Sequence, residues 1–343
     1  MQTITVENML QLDSKILFDL RSPKEYQQGT INNAISLPIL DDEERAIVGT
    51  IYKQESKNKA KLIAIKQVSD RLGELVSRII SCQEQHDNVI LFCSRGGYRS
   101  GPLVQLLNSL GVPVRQLVGG YKSYRLYVIE YFKNQIEHRF IVLHGYTGCG
   151  KTAVLNRLHE LDYPVIDLEA MAHNSGSVFG TIGHPAARVT QKQFESELMR
   201  QLMTYERKPV FIESESSRIG AVTIPKAMHQ QMHLGHHVLI NASLENRVDR
   251  LVDEYCTVRG FNDQLSAALD DLVKQLGHER VNQLKHLLQQ ERYREIAEEL
   301  IVRYYDPLYH HSIKKYEYAL EITYDTMDKV LGSLSDFYRI LTA

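Results

Sequence analysis

Arg139-Phe-Ile-Val-Leu-His144, running into Gly145-Tyr-Thr-Gly148-Cys149-Gly150-Lys151-Thr152, decides the fold of the second half of the chain. An apolar run closed by a glycine-rich turn is the pattern of a strand buried on both faces. Lys151 to Leu161 then shows the apolar spacing of an amphipathic helix. The octet from Gly145 to Thr152 satisfies G-x-x-x-x-G-K-[ST] at every fixed position. Between a strand and a helix, such a loop wraps its backbone N–H groups around a phosphate or diphosphate. Its lysine neutralises the charge and its hydroxyl can ligate a metal held with the anion. Gly145, Gly148, Gly150, Lys151 and Thr152 are therefore the expected diphosphate site, with magnesium as an optional companion and Cys149 as a spacer.

Outward from this loop, Val165 to Leu168, Pro209 to Glu213 and Val238 to Asn241 read as further strands of one parallel sheet. Glu213 and Glu215 end the second of them, where a nucleotide hydrolase usually presents an aspartate to organise magnesium. Together with Arg218 they are expected beside the substrate, and a glutamate paired with Arg218 is the plainer alternative. From about Asn246 the pattern turns helical, with Leu265, Leu269, Leu272 and Leu276 on one stripe. Residues 136–255 are accordingly expected as a P-loop domain, and 256–343 as a helical extension packed on it.

The first 135 residues repeat the alternation. Strand-like runs at Ile16 to Leu20, Val89 to Cys93 and Val114 to Leu117 flank helix-like stretches at Ala60 to Ser81 and Ser100 to Leu110. Residues 1–135 therefore form a second domain, and the fold class is α/β in two domains, each a parallel sheet with flanking helices. A length of 343 residues agrees with two domains. With 43% hydrophobic and 24% charged residues, the chain is neither disordered nor fibrous. The start MQTITVENML lacks a basic segment followed by an apolar core, and no apolar run approaches the roughly 18–20 residues of a membrane span, so a cytoplasmic location is expected. Residues 1–139 carry 18 basic against 15 acidic side chains and the remainder 22 against 27, so binding to nucleic acid requires a local patch. Nothing in the sequence specifies an oligomeric state.

The four cysteines, Cys82, Cys93, Cys149 and Cys256, form no C-x-x-C pair, which argues against a disulfide framework or a structural zinc site. No metal centre is expected from the histidines either, and no tightly bound cofactor. Cys93 stands apart. It follows an apolar strand and opens the loop Ser94-Arg95-Gly96-Gly97-Tyr98-Arg99-Ser100, which leads into a helix. Converging N–H groups, the helix N-terminus and two arginines make an anion site around the sulfur and favour the thiolate. The Cys-x5-Arg spacing is shared with protein-tyrosine phosphatases, so a Cys-dependent phosphatase or a sulfurtransferase fused to a P-loop kinase-like domain is the competing reading. A P-loop RNA-binding module with an inactive first domain is the non-enzymatic one.

The Cys93 loop, with Phe18-Asp19-Leu-Arg21-Ser-Pro-Lys-Glu25-Tyr26, Gly29-Thr-Ile-Asn-Asn-Ala34 and Leu37-Pro38, resembles the rhodanese family of sulfurtransferases. The resemblance implies that Asp19 and Arg21 support the loop or meet the substrate. Many single-domain rhodaneses place four residues between the cysteine and the arginine, and this chain places five. Joined to the P-loop, and with Val48-Gly-Thr-Ile-Tyr52-Lys53, Gly119-Gly120-Tyr121-Lys122-Ser-Tyr124-Arg125, Gly176-Ser177-Val-Phe179-Gly180 and Phe211-Ile-Glu213-Ser-Glu215, the chain resembles the tRNA 2-selenouridine synthase family. The family's His-Arg pair before the Gly-Ser-x-Phe-Gly segment is replaced here by Asn174 and Ser175.

That resemblance implies exchange of sulfur for selenium in wobble 2-thiouridine of the tRNA anticodon, with selenophosphate as donor. It also implies prior S-alkylation by geranyl diphosphate. Cys93 would then serve selenation, as a carrier of selenium or as an attacking thiolate, and the P-loop would hold the prenyl diphosphate. Tyr121, Lys122, Tyr124 and Arg125 interleave aromatic and basic side chains, which suits contact with an extruded base. Arg303 to His311 with Lys314 and Lys315 is a second candidate for RNA contact.

Overall fold

The computed structural model describes residues 2–134, 136–174, 189–205, 208–256 and 260–343. The chain divides into two compact units, Met1–Gln135 with Glu195–Met199, and Ile136–Phe194 with Arg200–Ala343.

In the first unit the strands are β1 (Thr3–Ile4), β2 (Lys15–Asp19), β3 (Ile35–Ser36), β4 (Asn88–Phe92) and β5 (Arg115–Leu117), in the spatial order β1-β5-β4-β2-β3 and all parallel. The central strand β4 is completely buried over Ile90, Leu91 and Phe92, as its unbroken apolar run requires. Leu103, Val104 and Leu107 of the helix Ser100–Ser109 pack on it from one side. The helix expected over residues 60–81 is instead two, Lys57–Ser69 and Leu72–Gln83. They part at Asp70 and Arg71, and the Arg71 guanidinium pairs with Glu44 of the helix Asp42–Gln54.

In the second unit β6 (Phe140–His144), β7 (Val165–Ile166), β8 (Val210–Glu213), β11 (His236–Asn241) and β12 (Leu320–Thr323) form a parallel sheet ordered β12-β11-β6-β8-β7. β9 (Arg218–Ile219) and β10 (Val222–Thr223) make a small antiparallel ribbon. The stretch expected as a helical extension is corrected here, because residues 320–323 are an edge strand paired with β11. Ile322, Tyr324, Val330, Leu331 and Leu334 then join the core under the helix Lys151–Glu160. The leucine stripe behaves as expected: Leu265, Leu269, Leu272, Leu284 and Leu288 bury one another in a separate helical cluster. Among the described residues no helix is long and apolar enough to cross a membrane.

Two candidate anion sites

Cys93 sits directly beyond β4, where the chain must leave the sheet and the N-terminus of the following helix points back at it. Its side chain is buried, and Ser100 Oγ donates to Sγ at 3.3 Å. Gln116 Nε2 in turn donates to Ser100 Oγ at 2.8 Å, which leaves the serine hydroxyl hydrogen for the sulfur. Burial alone would push the thiol up. The Ser100 hydroxyl and the backbone N–H groups of Arg95, Gly97 and Ser100 outweigh that and bring Cys93 below its ordinary value.

The loop is fixed from below by Gly120, at φ +58°, where a Cβ would lie 2.2 Å from the Cys93 carbonyl oxygen and 2.6 Å from Gly96 N. This approach lets Tyr121 N donate to the Cys93 carbonyl at 2.8 Å and Lys122 N to that of Ser94 at 3.0 Å. Glycine is therefore a steric requirement there.

Arg99 is not a free anion ligand. Its Nη1 and Nη2 donate to the two carboxylate oxygens of Glu25 at 2.5 and 3.2 Å, so the guanidinium is held in one place near the thiolate. Burial would raise the Glu25 carboxyl, and the Arg99 contact carries it below its ordinary value. Asp19 and Arg21 form a buried pair at 2.6 Å, with Thr30 Oγ1 also donating to Asp19. The Arg21 guanidinium lies 3.8 Å from the centre of the Tyr121 ring, directly behind the Cys93 loop. Through that ring the pair braces the helix Gly120–Asn134, whose Tyr121 N–H holds the Cys93 carbonyl. Tyr98 is exposed, with Lys61 Nζ over its ring.

The expected tRNA role of this helix needs correction. Tyr121 and Tyr124 are buried, at 7% and 1% exposure, so their rings have no face on which a base can stack. Only Lys122 is exposed, with Arg125 half-buried.

In the second unit the Gly145–Thr152 loop leaves β6 and enters the helix Lys151–Glu160 through Gly150, at φ +77°. Lys151 Nζ donates to the Gly145 carbonyl at 3.0 Å, and Thr152 is exposed. Arg247 Nε donates to the Thr147 carbonyl at 2.8 Å while its guanidinium pairs with Asp306. Arg250 Nη1 and the Tyr324 hydroxyl both donate to the Cys149 carbonyl. The spacer position thus contributes its backbone to the loop's anchorage.

Carboxylates line the other side. Glu213 is buried, its Oε1 accepts the Glu169 N–H at 2.8 Å, and its Oε2 has no hydrogen-bond partner. Burial and the Asp167 charge push it well above the usual carboxylate range. Glu215 is pushed up to about 8 by burial and by the charge of Glu169, with Lys151 opposing. Tyr309 of the helix Asp306–Ile313 adjoins Thr147, Glu215 and Glu169, and its hydroxyl is raised to about 12 by burial and by Glu215. Arg218 is exposed and donates to its own turn at the Gly220 carbonyl, 3.1 Å away.

Two models of known families divide the chain between them. A rhodanese-like domain matches residues 4–126, and the AAA domain of tRNA 2-selenouridine synthase matches residues 138–337. The chain belongs to the tRNA 2-selenouridine synthase family. A synthase of that name from Nitrosomonas europaea is 31% identical, over 87% of this chain and 89% of the relative. Others from Hydrogenovibrio crunogenus and Pseudomonas syringae are 33% and 32% identical, covering 90% and 88% of this chain and 91% of each relative.

Against this family frame, Asn174 lies against Gly220, while Ser175 and the Gly176–Gly180 segment fall outside the described residues. In the second RNA candidate, Tyr305 is buried while Arg303, Lys314 and Lys315 are exposed. His229, His233 and His237 do recur at the four-residue spacing of a helical metal pair. In the structure the His229 and His233 rings pack edge to face, and among the described residues no group of three ligating side chains could hold a metal ion.

Gln116, Glu25, Arg247, Arg250, Tyr309 and Tyr324 belong to these two sites although none was singled out for either from the sequence. Only Glu25 carried a local signal, as part of the Glu-Tyr that follows the Asp-x-Arg.

Proposed function

We propose that the chain converts wobble 2-thiouridine of certain tRNAs into 2-selenouridine in the cytoplasm, with selenophosphate as donor and an S-geranyl intermediate made from geranyl diphosphate. The observation that carries this reading is the presence in one chain of two anion cradles with different chemistry, over nearly the whole length of relatives bearing the synthase name.

In the first step the thiocarbonyl sulfur attacks C1 of geranyl diphosphate. The C–O bond breaks, diphosphate leaves with the electron pair, and the uridine N3 proton is lost. Lys151 and the N–H groups of residues 145–152 bind the diphosphate and take up its developing charge. Thr152, whose side chain is exposed on the loop, is the group that would hold a magnesium ion there. In the second step the selenium of selenophosphate adds to C2 and the alkylthiolate departs, a better leaving group than a thiocarbonyl sulfur. Water then cleaves the Se–P bond. Cys93 serves this selenation step, held as thiolate by Ser100 and the loop N–H groups.

The test is mass spectrometry of nucleosides from 2-thiouridine tRNA treated with geranyl diphosphate and selenophosphate. Cys93→Ala is expected to accumulate the geranylated nucleoside, Lys151→Ala to leave thiouridine, and only the unaltered protein to make selenouridine. Unchanged thiouridine with the unaltered protein would refute the reading.

A further inference from the structure

The first unit contains a cavity of about 550 Å³ between the helices Asp42–Gln54, Lys57–Ser69, Leu72–Gln83 and Ser100–Ser109. That volume lies within the range of small-molecule sites. It is partly open to solvent, so a ligand can enter it from the surface, and what it offers that ligand is apolar area to bury. Its walls are apolar, built from Ile39, Val48, Val68, Leu72 and Leu106 among others.

The polar side chains on its boundary are few, and apart from Ser69 they gather in one place. Tyr98 and Tyr52 bring their rings to 5.9 Å, Lys61 Nζ lies 5.1 Å from the Tyr98 ring centre, and Arg99 is the next residue. Arg99 also feels the Cys93 thiolate. The cavity therefore has an apolar body and a cationic end that adjoins the cysteine loop. The helix Lys57–Ser69 behaves as a wall rather than a core element: it buries only Ala60, and leaves Leu62 and Ile65 at 69% and 67% exposure.

A ligand that fits this layout carries a hydrocarbon chain attached to a polar group that reacts near the thiolate. We infer that the cavity receives the alkyl chain of the S-alkylated 2-thiouridine, so that C2 and its sulfur are presented at the Cys93 loop. The inference rests on the two-step reading above and adds a site for its intermediate. It also gives the steps a direction, because unalkylated thiouridine has nothing to fill the cavity and binds this unit weakly.

The chain has no tryptophan, so Tyr52→Trp in the full-length protein places a single indole at the cavity boundary. Its fluorescence is titrated with S-geranyl-2-thiouridine and with S-methyl-2-thiouridine. Transfer of the longer chain out of water predicts at least about tenfold tighter binding of the geranyl nucleoside. Adding Ala64→Phe or, separately, Ser69→Phe fills the cavity and should reduce that preference below about threefold. Circular dichroism confirms folding, and two fillers are used so that misfolding of one leaves the other.

Equal affinity for the two nucleosides, or a preference that survives in a folded filler, would overturn the inference. A preference that the fillers abolish, in a protein that fails to convert thiouridine tRNA, would sustain the cavity assignment and overturn the two-step reading alone.

Discussion

Both anion sites stand beyond the carboxyl end of the middle strand of a five-stranded parallel sheet, β4 between β5 and β2, and β6 between β11 and β8. This is where open α/β sheets place their ligands, since the helix N-termini and free backbone N–H groups converge there. The difference lies in where the negative charge comes from. The first loop carries its own: its donors converge on Cys93, and Arg99 is already held by Glu25. The second loop has no built-in anion. Lys151 rests on the Gly145 carbonyl, and burial keeps the neighbouring Glu213 and Glu215 protonated to unusually high pH. One cradle closes on a thiol held toward its thiolate form, and the other closes on no anion of its own.

The anchorage differs as well, and this gives the largest expected effect. A Cβ at Gly120 meets backbone atoms of the Cys93 loop, down to 2.2 Å, whereas a Cβ at Gly150 meets the Tyr324 hydroxyl at 2.8 Å and Arg250 Nη1 at 3.3 Å, both ends of side chains. Backbone cannot move aside without breaking the Tyr121 N–H bond to the Cys93 carbonyl. Gly120→Ala should therefore destabilise the first unit by about 3 kcal/mol or more and abolish selenation while geranylation persists. Gly150→Ala pays only the positive φ and a side-chain shift, about 1–2 kcal/mol, and weakens geranylation. Thermal unfolding with both product assays checks the pair. Equal losses would show that the two loops are anchored alike.

A smaller effect isolates the electrostatics of the first loop. Hydrogen bonds to a charged group contribute about 1.5–3 kcal/mol, and one pKa unit corresponds to 1.36 kcal/mol, so Ser100→Ala should raise the Cys93 midpoint by about 1–2 pH units. Iodoacetamide alkylation rates from pH 5 to 10, with Cys93→Ser as the blank, measure that midpoint. Gln116→Ala should move it in the same direction by less, because Gln116 acts through the serine. A midpoint unmoved by Ser100→Ala would leave the backbone N–H groups as the whole cause.

Both loops were legible in the sequence because each is a local pattern: an apolar strand, glycines at fixed offsets, then a helix. What surrounds them was not. Gln116, Arg250, Tyr309 and Tyr324 approach from 16 to 175 residues away along the chain, and nothing local distinguishes them from surface or core residues of the same type. The short strand Leu320–Thr323 has too few residues to show a period, and only its pairing with β11 makes it a strand. Tyr121 and Tyr124 misled for the same reason. Alternation of aromatic and basic residues describes an RNA-binding surface and the buried face of a helix equally well, and burial is decided by residues distant in the chain, such as Arg21 against Tyr121 and Ser196 against Tyr124.

The smallest effect tests whether the second loop is poised by protonation. Glu215 titrates near 8 in the folded protein, against 4.5 for the ordinary group, so the folded state retains a proton that the unfolded chain releases. Its contribution to stability is therefore fully present below pH 4.5 and is lost as pH rises through 8. The same deprotonation puts a negative charge beside Lys151, where it opposes the diphosphate. Below pH 8 the loop sees an uncharged neighbour, and above it a repelling one. The KM for geranyl diphosphate should rise about three- to tenfold between pH 7 and 9, consistent with a partly screened charge near the site. In Glu215→Gln, which mimics the protonated form, the profile should flatten at the low-pH value of the unaltered protein. A rise that persists in Glu215→Gln would move the titrating group to Glu213 or to the ligand.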